Sequence, residues 1–144
     1  SYGPTRAARI HENYAKVASD LIVTLPMIET AQALENLDEI LAVPDIDGVY
    51  IGPADLALSM GFEPTLFSTD QPVLDAIETI RAKARAANKI AGIHAASGAQ
   101  TREMLSRGFD FVALSTDIRQ LTNVLATALA EARSTEALTS SGQY

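Results

Sequence analysis

Glu29 and Asp55 are the residues whose type and placement in this chain could do chemistry. Each carboxylate closely follows a run of strand-forming apolar residues. Leu21 to Ile28 precedes Glu29, and Gly48 to Ile51 precedes the turn Gly52-Pro53-Ala54-Asp55. One helix's worth of sequence separates them. If the two runs are strands of one parallel sheet, both carboxylates emerge at its carboxyl-terminal edge, where α/β folds place their chemistry. Two carboxylates beside a Gly-Pro turn with exposed backbone N–H groups suit a hard divalent cation holding a small oxyacid. Each also has a plain reading. Glu29 next to the helix cap Thr30 can simply complement the helix dipole, and Asp55 can simply cap a helix after its turn. Their pairing is what favours ligation. His94 ends a further strand-like run, Ile90 to His94, at the same expected edge; a structural or partly exposed histidine is its plain alternative. His11 falls on an Ala-rich helix and is expected in solvent.

The elements that must position these groups follow from the apolar pattern. Residues 5 to 18 read as a helix, with Thr5 as a cap. Leu21 to Ile28 is almost continuously apolar, the mark of a strand buried on both faces. Thr30 then caps a helix with Leu34, Leu37, Ile40 and Leu41 at helical spacing, ending before Pro44. Asp47 to Ile51 is the second strand. Ala54 to Thr69 reads as a short helix followed by a loop, and the part from Gly61 to Asp70 is either a cover over the pocket or a plain surface connection. Pro72 opens a helix with Leu74, Ile77, Ile80 and Ala84 as its inner face. Ser97 to Arg107 is a helix closed by Gly108, and Phe109 to Leu114 is the fourth strand. Thr116 or Asp117 caps a last helix bearing Ile118, Leu121, Leu125 and Leu129 on one side. Tyr50 and Phe109 read as packing residues. Residues 1–133 form the ordered unit, and 134–144 a frayed tail.

Alternating βα units of this kind give a parallel sheet covered by helices. A complete (β/α)8 barrel takes roughly 250 residues, so 144 residues supply about half of one. The inner strand faces, expected around Val23, Leu25, Val49, Ile51, Ile93 and Val112, then need a covering chain.

Composition narrows the function classes. A hydrophobic content of 47% is ample for a packed core. With no cysteine, disulfides, thiolate metal sites and cysteine nucleophiles are excluded. A net charge of −7 and the lack of a basic patch argue against nucleic acid. No apolar run approaches the roughly 20 residues that span a bilayer, and there is no signal-peptide pattern. No membrane partner and a cytoplasmic location are therefore expected. The opening Ser1-Tyr2-Gly3-Pro4 reads as sequence from the middle of a longer protein.

The stretch from Leu25 to Gly61, LPMIETAQALENLDEILAVPDIDGVYIGPADLALSMG, resembles the most characteristic region of the HpcH/HpaI-type class II aldolases. The resemblance continues through Ala91-Gly92-Ile93 and Gly108-Phe109-Asp110-Phe111-Val112-Ala113. Gly-Pro-Ala-Asp-Leu with Ile-Glu-Thr at the right distance upstream is a specific combination. The resemblance covers strands five to eight of the family's (β/α)8 barrel, its carboxyl-terminal half. It implies metal-dependent cleavage of 4-hydroxy-2-oxo acids to pyruvate or a related 2-oxo acid and an aldehyde. It also implies that Glu29 and Asp55 ligate Mg²⁺, Mn²⁺ or Co²⁺. Gly52, Pro53, Ala54 and Asp55 would form the substrate-binding turn, with the backbone N–H groups around Ala54 and Asp55 holding the substrate carboxylate, and His94 would line the pocket where the family usually has an apolar residue. A missing first half or a second copy of the chain, in a homo-oligomer, is the implied macromolecular partner.

Two departures bear on this. Met27 stands where the family commonly has glutamine. The family's catalytic histidine and pyruvate-binding arginine belong to the first half of its barrel, and neither His11 nor Arg6 lies in a matching context. Two alternatives stand beside the aldolase: a catalytically silent half-barrel that binds metal or serves assembly, and an acyl-CoA lyase of the citrate-lyase β type.

Overall fold

The computed structural model describes residues 5–133. Four strands, β1 (Met27–Ile28), β2 (Gly48–Ile51), β3 (Ile90–Ala95) and β4 (Phe111–Leu114), form one sheet in the order of the chain, and every pairing is parallel. A parallel neighbour requires a crossover on one face. The crossovers are α3 (Ala31–Glu35) and α4 (Leu37–Leu41), then α5 (Pro53–Ser59) and α6 (Gln71–Ala86), then α7 (Gly98–Ser106). Two helices, α1 (Thr5–Ile10) and α2 (Tyr14–Leu21), precede the sheet, and α8 (Asp117–Arg133) follows it.

Local chemistry sets the helix starts. The Thr30 hydroxyl accepts from Ala33 N–H at 3.0 Å, and the Ser97 hydroxyl accepts from Gln100 N–H at 3.2 Å. Pro72 occupies the first turn of α6, where a missing N–H costs nothing. Thr116, rather than Asp117, precedes α8: its carbonyl accepts from Gln120 N–H at 3.0 Å.

The core lies on the helix-covered face of the sheet. Ile28, Val49, Ile51 and Ile93 bury their side chains there against Leu37, Leu56, Val73, Ile77 and Ile80. This corrects the expected inner face. Val49, Ile51, Ile93 and Val112 belong to the packed layer, while Met27, Tyr50, Gly92 and Phe111 form one in-register row across the opposite face. In a run that is apolar at every position, alternation cannot reveal which parity faces the helices. Val23 and Leu25 do border the open face. Together with Met27, Tyr50, Ile90, Asp110 and Phe111 they line a concavity of about 690 Å³.

The first strand is also shorter than expected. Leu21 finishes α2, and only Met27 and Ile28 are regular strand. Pro26 has no N–H to donate, although its carbonyl still accepts from Tyr50 N–H at 2.9 Å. Residues 22 to 26 run along an unpaired edge, so Ile22 and Val23 are 53% and 63% exposed rather than buried on both faces. The expected first helix is broken as well, by Asn13 in the left-handed region at φ 59°. Among the described residues no helix is long and apolar enough to cross a membrane.

Candidate active site at the carboxyl-terminal edge

Each strand of the parallel sheet delivers its last residues to one edge. Two residues beyond the Met27–Tyr50–Gly92–Phe111 row, the same face carries Glu29, Gly52, His94 and Ala113. The ladder still holds at this level, since Gly52 N–H donates to the Ile28 carbonyl at 3.4 Å. Glu29 sits against Gly52: a Cβ built on Gly52 would lie 3.2 Å from Glu29 Oε2 and 3.3 Å from Glu29 Cβ. A side chain at position 52 would therefore press on the carboxylate. Glycine here keeps the edge open around Glu29.

Gly52 is also the residue before α5, with Pro53 in the first turn and Asp55 beside it. The Gly52 carbonyl accepts from Leu56 N–H at 2.9 Å, so the amides of Ala54 and Asp55 lie in the turn that has no carbonyl of its own helix to bond. A second tie holds the two carboxylate-bearing segments together. Ala31 N–H donates to the Ser59 hydroxyl at 3.0 Å, fastening the start of α3 to the end of α5. Glu29 is partly buried and Asp55 exposed. Among the described residues neither carboxylate has a hydrogen-bond or ion-pair partner. Both sets of oxygens are therefore uncommitted.

This donor set fits a hard cation. Two free carboxylates at an open edge, with no histidine or thiolate added, leave most positions of an octahedral ion to water and substrate oxygens. No group of three or more acidic or histidine side chains that could hold a metal occurs among the described residues. The site thus offers two anchors rather than a cage.

His94 lies on this same face and is partly buried. Its Nδ1 is 3.0 Å from the hydroxyl of Tyr50, on the neighbouring strand and one row lower. Burial raises the Tyr50 phenol above its ordinary pKa, so the O–H stays intact at neutral pH. Tyr50 also meets Phe111, with ring centroids 6.0 Å apart. Gly92 lies between them: a Cβ there would come within 3.0 Å of the Tyr50 ring and 3.2 Å of the Phe111 ring. Reading Tyr50 as packing alone misses its bond to His94. Strand parity places Tyr50 and His94 on one face only once the Tyr50–Gly92 register is known, and that register is a property of the folded sheet.

The segment from Gly61 to Asp70 lies with the helices. Gln100 Nε2 donates to the Leu66 carbonyl at 2.6 Å while Gln100 Oε1 accepts from Ala96 N–H at 2.7 Å. Leu66 to Thr69 shares a small cavity with Leu74, Ile77, Ile93 and Met104, all of the helix-covered side. It is a surface connection there and does not cover the inner face. His11 is exposed, as expected.

The model of the HpcH/HpaI aldolase/citrate lyase family matches residues 4–124. A hydroxypyruvate/pyruvate aldolase of Rhizorhabdus wittichii is 44% identical over 134 residues, which is 92% of this chain and 53% of that protein. A 2-keto-3-deoxy-L-rhamnonate aldolase of Klebsiella pneumoniae is 42% identical over 137 residues, 94% of this chain and 51% of that protein. The crystal structure of an HpcH/HpaI aldolase/citrate lyase family protein from Burkholderia cenocepacia superposes with a TM-score of 0.79 at 28% identity, covering 93% of this chain and 52% of that one. The chain spans about half the length of these relatives. By sequence and by fold, it belongs to the HpcH/HpaI aldolase/citrate lyase family.

Proposed function

We propose that this chain is the carboxyl-terminal half, strands five to eight, of a (β/α)8 barrel aldolase that depends on a divalent metal. Its substrates would be 4-hydroxy-2-oxo acids, cleaved to pyruvate or hydroxypyruvate and an aldehyde. The observation that carries the reading is the meeting of Glu29 with Gly52 at the edge from which α5 presents Asp55. Glu29 and Asp55 would hold Mg²⁺, Mn²⁺ or Co²⁺ with about 5 Å or less between their carboxylates, as metal–oxygen distances of about 2.0–2.6 Å require. The bound cation would supply Lewis acidity, drawing charge from the keto group as the carbon–carbon bond breaks. Gly52 and Pro53 shape the turn, while the Ala54 and Asp55 amides point unpaired donors at the substrate carboxylate. His94 lines the pocket wall.

The uncovered inner face calls for a partner, either the first half of a barrel or a second copy of this chain. A strand layer that contains Met27, Tyr50 and Phe111, with none of the described residues forming a layer across from it, is half of an interior. Light scattering should give a mass above the 15.3 kDa of one chain. A compact monomer that unfolds cooperatively at micromolar concentration would count against this.

In the assembled enzyme, Glu29→Gln and Asp55→Asn should each abolish metal-dependent exchange of pyruvate methyl protons. Unchanged exchange in either variant defeats the metal-site assignment. The 144-residue chain alone should show near-background cleavage, since neither the expected base nor the expected arginine is on it. A missing general base costs roughly 10²–10⁴-fold and a missing electrostatic donor roughly 10²–10³-fold. Ordinary turnover by the chain alone would show that it carries its own base, with His94 the first residue to replace.

A further inference from the structure

A histidine held by a fixed partner on the wall of the open face governs what a pocket there can select. Tyr50 and His94 stand on neighbouring strands of the open face, offset by one row, with the phenol oxygen 3.0 Å from Nδ1. A neutral imidazole has one N–H and one bare nitrogen, and the bond made by one nitrogen decides which is which. A phenol is a stronger donor than acceptor toward an imidazole nitrogen. With its O–H retained, Tyr50 donates to Nδ1, and the ring proton is placed on Nε2. Among the described residues Nε2 has no partner. The result is an N–H donor in the row shared with Glu29 and Gly52.

We infer that Tyr50 holds His94 with its Nε2–H free to donate, so that His94 selects 2-oxo acids bearing a hydroxyl on the carbon next to the keto group over alkyl analogues of the same size. The inference rests on the aldolase reading of the edge and names the substrate class of that site. Its physical basis is asymmetry. A hydroxyl satisfies the N–H, whereas a methyl group in the same place strips water from the donor and leaves it unpaired. Tyr50 acts through His94 and is a positioning residue. His94 is the specificity-determining one.

Two measurements on the assembled enzyme, with the inner face of this chain covered by its partner, test this. Nitrogen-15 spectra of the His94 ring should show the Nε2–H tautomer in the wild type and a mixture of tautomers in Tyr50→Phe. A ring protonated on Nδ1, or one unchanged by Tyr50→Phe, overturns the orientation. Binding is then measured with Mg²⁺ present, using hydroxypyruvate and 2-oxobutyrate, which differ by a hydroxyl in place of a methyl group. The wild type should prefer hydroxypyruvate by about tenfold, the scale of one hydrogen bond. His94→Leu should lose the preference, and His94→Gln, which keeps an N–H donor, should retain part of it. Equal binding of the two acids by the wild type overturns this inference and leaves the aldolase reading standing. Failure to bind either acid while Mg²⁺ itself binds removes the substrate reading of the edge, and this inference with it.

Discussion

Helices α6 and α8 are nearly equal in length and carry the same kind of apolar stripe, yet they end in opposite environments. α6 buries Val73, Ala76, Ile77, Ile80 and Ala84 against the sheet. α8 leaves Ile118, Leu121, Val124, Leu125 and Leu129 between 53% and 65% exposed. Periodicity therefore specifies which face of a helix must be covered, but the partner decides whether it is. The sheet repeats the lesson. Its outer face is closed by α5, α6 and the elements around them, whereas its inner face meets no layer among the described residues.

The contrast is open to a direct test. Ile80→Ala removes a fully buried side chain from the closed layer and should cost about 2–5 kcal/mol in denaturant unfolding. Leu125→Ala should cost less than about 0.5 kcal/mol at the lowest protein concentration, where no second chain is at hand. If its cost grows with concentration, a partner covers α8. Equal costs for the two substitutions at low concentration would mean that α8 is packed within the single chain, and the comparison would collapse.

Gln100 probes the seam between the helix layer and the site edge. It is one of few polar side chains buried in the described region, and it bridges Ala96 N–H and the Leu66 carbonyl. Gln100→Ala leaves both backbone groups without that partner and should cost about 1–3 kcal/mol. Hydrogen exchange should rise from Gly61 to Asp70 and at Ala96, and remain unchanged along α8. Equal acceleration everywhere would show that Gln100 supports the whole fold rather than one connection.

What the sequence made legible follows the range of each interaction. Thr30, Ser97 and Pro72 act within one helical turn, so the helix starts they mark could be read from their near neighbours. The order of the βα units and the edge shared by Glu29 and Asp55 followed from alternation of elements alone. Facing was not legible in Val49, Ile51 and Ile93, because apolar residues on both sides of a strand erase the two-residue period. The edge status of residues 22 to 26 was equally hidden. An apolar run reports that it wants burial, and Ile22 and Val23 have that tendency with no neighbour to satisfy it. The break at Asn13 depends on one residue's tolerance of positive φ, which an Ala-rich window masks. The Tyr50–His94 bond needed the register of two strands, a quantity set by the whole sheet.

The smallest expected effect concerns the outer surface of the closed layer. Glu78 on α6 pairs with Arg81 and lies 3.7 Å from Arg107 at the end of α7, so the cluster bridges two covering helices. The hydrogen bond from Arg81, with the added charge of Arg81 and Arg107 outweighing burial, holds the Glu78 carboxyl below its ordinary pKa. A carboxylate favoured in the folded state adds stability above its unfolded pKa, and the contribution disappears as pH falls through the lowered folded value. Glu78 is 45% exposed, so water and salt screen the pair, and the gain at neutral pH is limited to about 0.2–1 kcal/mol. Unfolding measured from neutral pH down through the carboxylate range should show wild type and Glu78→Gln converging in acid. At neutral pH the wild type should be slightly more stable, and added salt should narrow that gap. A difference that persists in acid would mean that Glu78 contributes through packing between α6 and α7 rather than through its charge.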